Sequence, residues 1–220
     1  MDGKSFVSNA FNPESGFMGV FSKIVDTLIL SILWLCCCIP VFTIGAASSA
    51  LYYAYHKAIR QDGGHACKTF FRALKDNFKQ ATGIWMILLV FVLLSALTCY
   101  LLRGMLESVP MAGFFLTMGR AILCFAAVWS IYLFPYQARF ENTVVNVMKN
   151  SALLTIARAP WSLLLLVIFV AAFAIALYRP AICAPVVAVY IWLINKILER
   201  IFRGIMTEEV LRSEIEADGT

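Results

Sequence analysis

The side chains that could carry acid–base chemistry are few in this chain. Its two histidines, His56 and His65, lie in basic sequence, and neither belongs to a zinc-binding HExxH pattern or to a phosphate-binding loop. Asp26 and Glu107 are expected on opposite faces of a membrane, so they cannot act together as acid and base. The sequence therefore predicts no catalytic residues and a protein that is not an enzyme.

Seven cysteines are a second source of reactive groups. No two of them are spaced as CxxC, and the triplet Cys36–Cys38 has no nearby histidine or carboxylate that would complete a metal site. All except Cys67 lie in apolar runs, where cysteine acts as a small hydrophobic side chain. We therefore predict neither a metal site nor a cofactor.

Polar residues inside apolar segments are the remaining candidates. Arg120 lies about seven residues into an apolar helix, which is roughly 10 Å of helix rise. Its partner would be Glu107 in the preceding connection, free backbone carbonyls near Gly113, lipid headgroups or a bound anion. Asn195 interrupts a second apolar segment. We predict an intramembrane polar site that draws on Arg120, Glu107 and Asn195, without an acidic proton relay.

The composition of the chain shows whether these residues are surrounded by water or by lipid. Of 220 residues, 61% are hydrophobic and 14% are charged. Soluble domains contain about 25% charged residues, and a soluble fold would leave much of this apolar surface in water. Most of the chain must therefore contact lipid. The net charge of +5 does not indicate nucleic-acid binding, because the basic residues flank apolar segments.

Apolar periodicity predicts an all-α, polytopic transmembrane helical bundle with additional amphipathic cytoplasmic segments. We expect an N-terminal tail over 1–19, a membrane domain over 20–205 and a cytoplasmic tail over 206–220. Segment 46–60 is marginal for a hydrocarbon core of about 30 Å, so five or six helices are predicted to lie in the membrane. The six segments are 21–39, 46–60, 83–102, 113–134, 161–178 and 182–202.

A hinge is predicted between the first two segments. Proline lacks an N–H group and glycine tolerates most backbone angles, so the stretch that contains Pro40, Thr43 and Gly45 should end one helix and begin another. The small residues that follow Gly45 would let two helices approach closely. The alternative is a single kinked helix that continues into a cytoplasmic loop.

Two segments have the pattern of amphipathic helices. In the first, Phe70, Leu74 and Phe78 recur at four-residue intervals, opposite a basic face. Such a helix lies at headgroup level with its cations toward anionic lipid, or docks a partner protein. The basic residues are Lys68, Arg72, Lys75 and Lys79. The second segment carries a polar stripe of Asn142, Asn146 and Asn150.

The basic residues also predict the orientation in the membrane. All of them except Arg103, Arg120 and Arg179 fall on one side of the predicted segments. Positively charged loops stay in the cytoplasm, so the C-terminus should be cytoplasmic. The N-terminus should be cytoplasmic as well if segment 46–60 crosses the membrane, and on the outside if it does not.

Two motifs stand out along the chain. The first carries Pro40, Thr43, Gly45, Ala46, Ala50, Leu51 and Tyr52, and the second Phe71, Asp76, Asn77, Phe78, Lys79, Gln80, Ala81 and Thr82. Together with the later stretch 139–154, they resemble the YesL-like family of bacterial membrane proteins, a domain of unknown function. The resemblance implies a multi-pass protein of the bacterial inner membrane. It also implies an accessory component that serves carbohydrate uptake, since family members resemble proteins encoded near such systems.

Two functions are compatible with these features. An accessory or scaffolding membrane protein needs only a stable bundle and a cytoplasmic docking surface, which the amphipathic segments would provide. A small-molecule transporter or channel component needs polar groups within the membrane, and Arg120 and Asn195 are the candidates. We expect the first function, with anionic lipids and a protein of carbohydrate uptake or signalling as partners.

Overall fold

The computed structural model describes residues 16–60, 65–104, 111–140, 142–179 and 182–204, and its regular elements in these ranges are all helical. A 3-10 turn, Val41–Thr43, precedes α2, and a π-helical segment, Tyr55–Arg60, follows it. The helices are α1 (Gly16–Cys37), α2 (Ile44–Ala54), α3 (Ala66–Gly104), α4 (Ala112–Arg139), α5 (Val144–Ala157), α6 (Ala159–Tyr178) and α7 (Cys183–Arg203).

Four of these helices are long and apolar enough to cross a membrane. They are α1 from Gly19, α3, α4 and α6. The prediction of an all-α bundle of membrane type is thus confirmed, and the protein is a multi-pass membrane protein. The predicted segments 46–60 and 182–202 do not belong to this set, because α2 has 11 residues and α7 carries charges over its last two turns. Whether they cross the membrane stays a prediction.

The helices α3 and α4 form an antiparallel hairpin. The rings of Trp85 and Phe134 lie 6.0 Å apart at one level, and Gly119 packs against Cys99 at another. Beyond Leu88 the large side chains of α3 are mostly exposed, as are those in the first half of α4. In a membrane protein such apolar surface contacts lipid. The connection 105–110 and the tails 1–15 and 205–220 lie outside the described residues.

The core lies at the other end of this hairpin, where α3 begins and where α4 and α7 end. We call this end of the hairpin, near Ala66, Arg139 and Arg203, the polar end. The most extensive helix contact joins α2 to α3, and the buried residues of α3 are confined to Ala66–Leu88. Gly45, Ala46, Ala47 and Ala50 of α2 are all buried, because small side chains let the two helices approach closely.

The basic amphipathic segment is not a separate helix, which corrects the sequence prediction. It forms the first turns of α3, a helix of 39 residues that is about 58 Å long. Gly83 was expected to begin a new helix, but glycine costs only about 1 kcal/mol in a helix interior. Packing against α2 outweighs that cost. Because a bilayer core is about 30 Å thick, α3 must extend beyond it.

A second difference concerns Pro135, where the segment 113–134 was predicted to end. The helix α4 continues through Pro135 to Arg139. Proline removes one backbone hydrogen bond, but residues 131–137 are all buried in the core, and this packing keeps the last turn helical. The continuation places Arg139 within the polar end.

The hinge lies between α1 and α2. After α1 ends at Cys37, the chain turns through Pro40, and the Thr43 hydroxyl donates a hydrogen bond to the Pro40 carbonyl. Trp85 Nε1 of α3 donates to the Val41 carbonyl at 2.7 Å. Trp34 of α1 donates to the Ser48 hydroxyl of α2 at 3.2 Å. The two helices therefore fold back on each other, and the hinge is fixed to α3.

The asparagine-striped segment begins just before α5 and continues into that helix, which packs on α4. Trp129 Nε1 donates to the buried Ser151 hydroxyl at 2.9 Å, and Asn150 Nδ2 donates to the Tyr136 hydroxyl at 3.1 Å. Asn142 and Asn146 remain exposed. Of the three asparagines in the stripe, Asn150 therefore contacts the bundle, and Asn142 and Asn146 belong to its exposed surface.

Candidate functional site

The candidate site is a buried cluster at the polar end, and its central residue is Glu199 of α7. The inner face of α7 is apolar, with Val187, Ile191, Ile194 and Leu198 at helical spacing. Asn195 and Glu199 lie one turn apart in the same stripe and are 1% and 0% exposed. The periodicity that buries the apolar residues therefore also buries a carboxylate.

The partners of Glu199 come from three other elements. Tyr52 of α2 and His56 of the π-helical segment are one turn apart, and their rings are parallel with centroids 6.5 Å apart. Arg139 is the last residue of α4 and is mostly buried, with its side chain 13% exposed. The small residues of α2 permit the approach that brings these side chains together.

The geometry of the cluster centres on one carboxylate oxygen. Tyr52 donates its hydroxyl hydrogen to Glu199 Oε1 at 2.8 Å. His56 Nδ1 lies 3.3 Å and Arg139 Nε 3.6 Å from the same oxygen. A buried carboxylate is tolerated when cations and hydrogen-bond donors replace its lost hydration. Arg139 supplies the cation and Tyr52 supplies the hydrogen-bond donor. Because both approach Glu199, the cluster holds α2, α4 and α7 together.

Two cavities adjoin the cluster. A small one of about 200 Å³ is lined by Tyr53, Lys57 and Ala138, together with Tyr52, His56 and Arg139. A larger groove of about 810 Å³ lies between α1 and α7, and Asn195 is part of its lining. The small cavity borders the cluster directly, whereas the groove reaches Asn195, one turn of α7 before Glu199.

The cluster has groups that can hold or pass a proton but no evident nucleophile. Carboxylate, imidazole and phenol side chains are the usual members of proton relays in membrane proteins. Within the described ranges, no three His, Cys, Asp or Glu side chains meet as a group that could hold a metal ion. Glu199 and His56 are buried ionisable residues that the sequence analysis did not single out.

The structure does not bring the predicted polar site together. Asn195 is buried one turn from Glu199, whereas Arg120 is exposed. Arg120 precedes Arg139 by 19 residues on α4, a distance of about 28 Å along the helix. It therefore lies far from the cluster. Glu107, its predicted partner, falls outside the described residues.

The four cations of the predicted lipid or partner surface share one exposed helix face. Lys68, Arg72, Lys75 and Lys79 are all exposed on α3, and we call them the basic row. Arg72 Nε lies 3.7 Å from Asp76 Oδ2, a surface pair that contributes little to stability. Phe71 and Phe78 are exposed beside the row, whereas Phe70 is buried in the core. The row is therefore available for contact.

Comparison with known proteins relates part of the chain to a protein family. Residues 27–98 match a family model described as "Protein of unknown function, DUF624". No curated protein matches the chain. No solved structure matches it either. The matched range contains the hinge, Tyr52, His56 and the basic row, but neither Arg139 nor Glu199. Over residues 27–98, then, this multi-pass membrane protein is similar to a family of proteins whose function is unknown.

Proposed function

We propose that this protein is an accessory or scaffolding component of the membrane that docks a second protein through the basic row. The observation that carries the proposal is the exposure of Lys68, Arg72, Lys75 and Lys79 on a helix that is too long to lie within the bilayer. No catalytic step is assigned to the protein.

The base of α3 is suited to docking because it is held rigid. Phe70 is fully buried and Ala73 is 4% exposed, so this stretch packs against the core while its cations face outward. A surface that is already ordered loses little entropy when a partner binds. The cations would also attract anionic lipid or an acidic partner surface, each contributing about 1 kcal/mol near a charged membrane.

The finer parts of the proposal come from the resemblance to the YesL-like family. They are a bacterial inner-membrane location with a cytoplasmic C-terminus, and a partner that serves carbohydrate uptake or signalling. The match to a family of unknown function is compatible with them. The uneven distribution of basic residues supports the orientation.

The docking proposal predicts that removal of the basic row releases the partner. We expect a variant with glutamine at Lys68, Arg72, Lys75 and Lys79 to retain less than about a tenth of the proteins that co-purify with the native chain from its own membranes. Quantitative mass spectrometry measures this. The matched control has glutamine at four exposed basic residues elsewhere, Arg103, Arg120, Lys149 and Arg158. Equal losses from the two variants would contradict docking by the row.

A transporter or channel component is the second candidate, and the buried Glu199–His56 pair favours it. Ionisable groups within a membrane domain commonly line ion or substrate pathways. If the purified chain alone moves a sugar or protons across proteoliposomes, and Glu199→Gln abolishes that flux, this second function replaces the first.

A further inference from the structure

We infer that the groove between α1 and α7 is a binding site for a single anionic phospholipid. The groove has a volume of about 810 Å³, within the usual range of small-molecule sites. Its walls are α1 and α7, and Tyr55 and Ile59 of the π-helical segment also line it. The lipid site is independent of the docking function proposed above.

Most of the groove wall is apolar, as an acyl chain requires. Leu28 of α1 and Pro185, Ala188 and Val189 of α7 line it. The lining of α7 runs from Pro185 to Lys196, a rise of about 16 Å. One leaflet of the hydrocarbon core is about 15 Å thick. The groove is therefore as long as the part of a lipid that must be kept away from water.

Lys196 places a cation at one end of the groove, which selects an anionic headgroup. Lys23 of α1 and Lys196 of α7 line the groove, and no acidic side chain is among its described lining residues. Lys196 Nζ lies 5.3 Å from the centre of the Trp192 ring, and such Trp–Lys pairs are typical of the headgroup level. Along α7, the lining of the groove changes from apolar residues to Asn195 and the cation Lys196. A phospholipid has the same order of groups, with an apolar acyl chain joined to a charged headgroup.

Competition between two lipids tests this inference. The protein in mild detergent is offered equal amounts of phosphatidylglycerol and phosphatidylcholine with identical acyl chains, and native mass spectrometry counts the bound molecules. Lys196, at about fivefold in affinity for one cation, predicts a preference of about fivefold for phosphatidylglycerol. We expect Lys196→Gln to abolish the preference. The control Lys149→Gln, at an exposed lysine outside the groove and outside the basic row, should keep it.

Two further arms distinguish a lipid site from a basic surface that attracts any anion. Ala188→Phe fills the groove without changing its charge, so retention of phosphatidylglycerol should fall at least about tenfold. Glycerol phosphate, which carries the phosphate without acyl chains, should not displace the lipid. The inference is overturned if the native protein binds both lipids equally, if Ala188→Phe binds as the native protein does, or if glycerol phosphate competes.

Discussion

Replacement of Glu199 by glutamine is expected to lower the free energy of unfolding by about 3 kcal/mol, the usual cost of breaking a buried ion pair. Glutamine has the shape of glutamate and can still accept a hydrogen bond from the Tyr52 hydroxyl. The loss of stability therefore reports the contribution of the negative charge of Glu199. Without the carboxylate, Arg139 is a buried cation facing a neutral amide 3.6 Å away. Chemical denaturation of the protein in a single detergent, followed by tryptophan fluorescence, measures the change.

The double variant makes this prediction specific. Arg139→Gln alone should cost a similar amount, and Glu199→Gln combined with Arg139→Gln should recover much of the loss, because each of the two opposite charges offsets the cost of burying the other. Arg120→Gln is the matched control. Arg120 is an exposed arginine of the same helix, so its loss should change stability by less than about 0.5 kcal/mol. Additive losses in the double variant would show that the two residues do not interact.

Replacement of Gly45 by alanine is expected to destabilise the protein by about 2 kcal/mol, as overpacking of a dense core does. A methyl group at Gly45 would lie 2.5 Å from Trp85 Cβ, 2.8 Å from a Phe134 ring carbon and 2.9 Å from the Ala81 carbonyl oxygen. Two of these atoms belong to the backbone or lie next to it, so they cannot move away without shifting α3. Denaturation in the same detergent measures the loss.

Gly83 provides the matched control for Gly45. It lies in the interior of α3, and apart from the neighbouring backbone of its own helix no atom comes within 4 Å of the position that a Cβ would occupy. Gly83→Ala should therefore stabilise the protein by about 1 kcal/mol, through the higher helix propensity of alanine. The two substitutions make the same chemical change, so their opposite signs test the packing of α2 on α3. A stabilising Gly45→Ala would contradict that packing.

The helical class followed from the sequence because apolar periodicity is a local signal. The helix boundaries were less accurate at Gly83 and Pro135, where a residue that weakens isolated helices lies in a continuous one. At both places the helix is kept continuous by packing against residues that are distant in sequence. Gly83 lies in a helix held by α2, and Pro135 is buried in the core. Local propensities of about 1 to 3 kcal/mol are too small to prevail there.

The candidate site was harder to predict, because its members are far apart in the chain. Tyr52 and Glu199 are 147 residues apart, and no motif connects them. Asn195 could be recognised because it interrupts an apolar segment, but Glu199 lies between Lys196 and Arg200 and resembles part of a solvated helix end. One signal was available. Positions 187, 191, 194, 195, 198 and 199 form a single helical face, and this periodicity predicts that Glu199 is buried.

The cluster and the basic row are connected through α2. Tyr52 of α2 and His56 of the π-helical segment contact Glu199, and α2 also packs against α3. A loss of the cluster should therefore loosen the part of α3 that presents the row. The buried charges, on this view, position a docking surface.

Site-specific photo-crosslinking in living cells tests that docking surface most directly. A benzophenone side chain is placed at Lys68 or at Lys75, which belong to the basic row, or at Leu94, which is 60% exposed on the apolar part of α3. We predict that both row positions form one discrete adduct with the same second protein, and that Leu94 does not. If neither row position forms a protein adduct, or if Leu94 gives the same adduct, docking through the basic row is wrong.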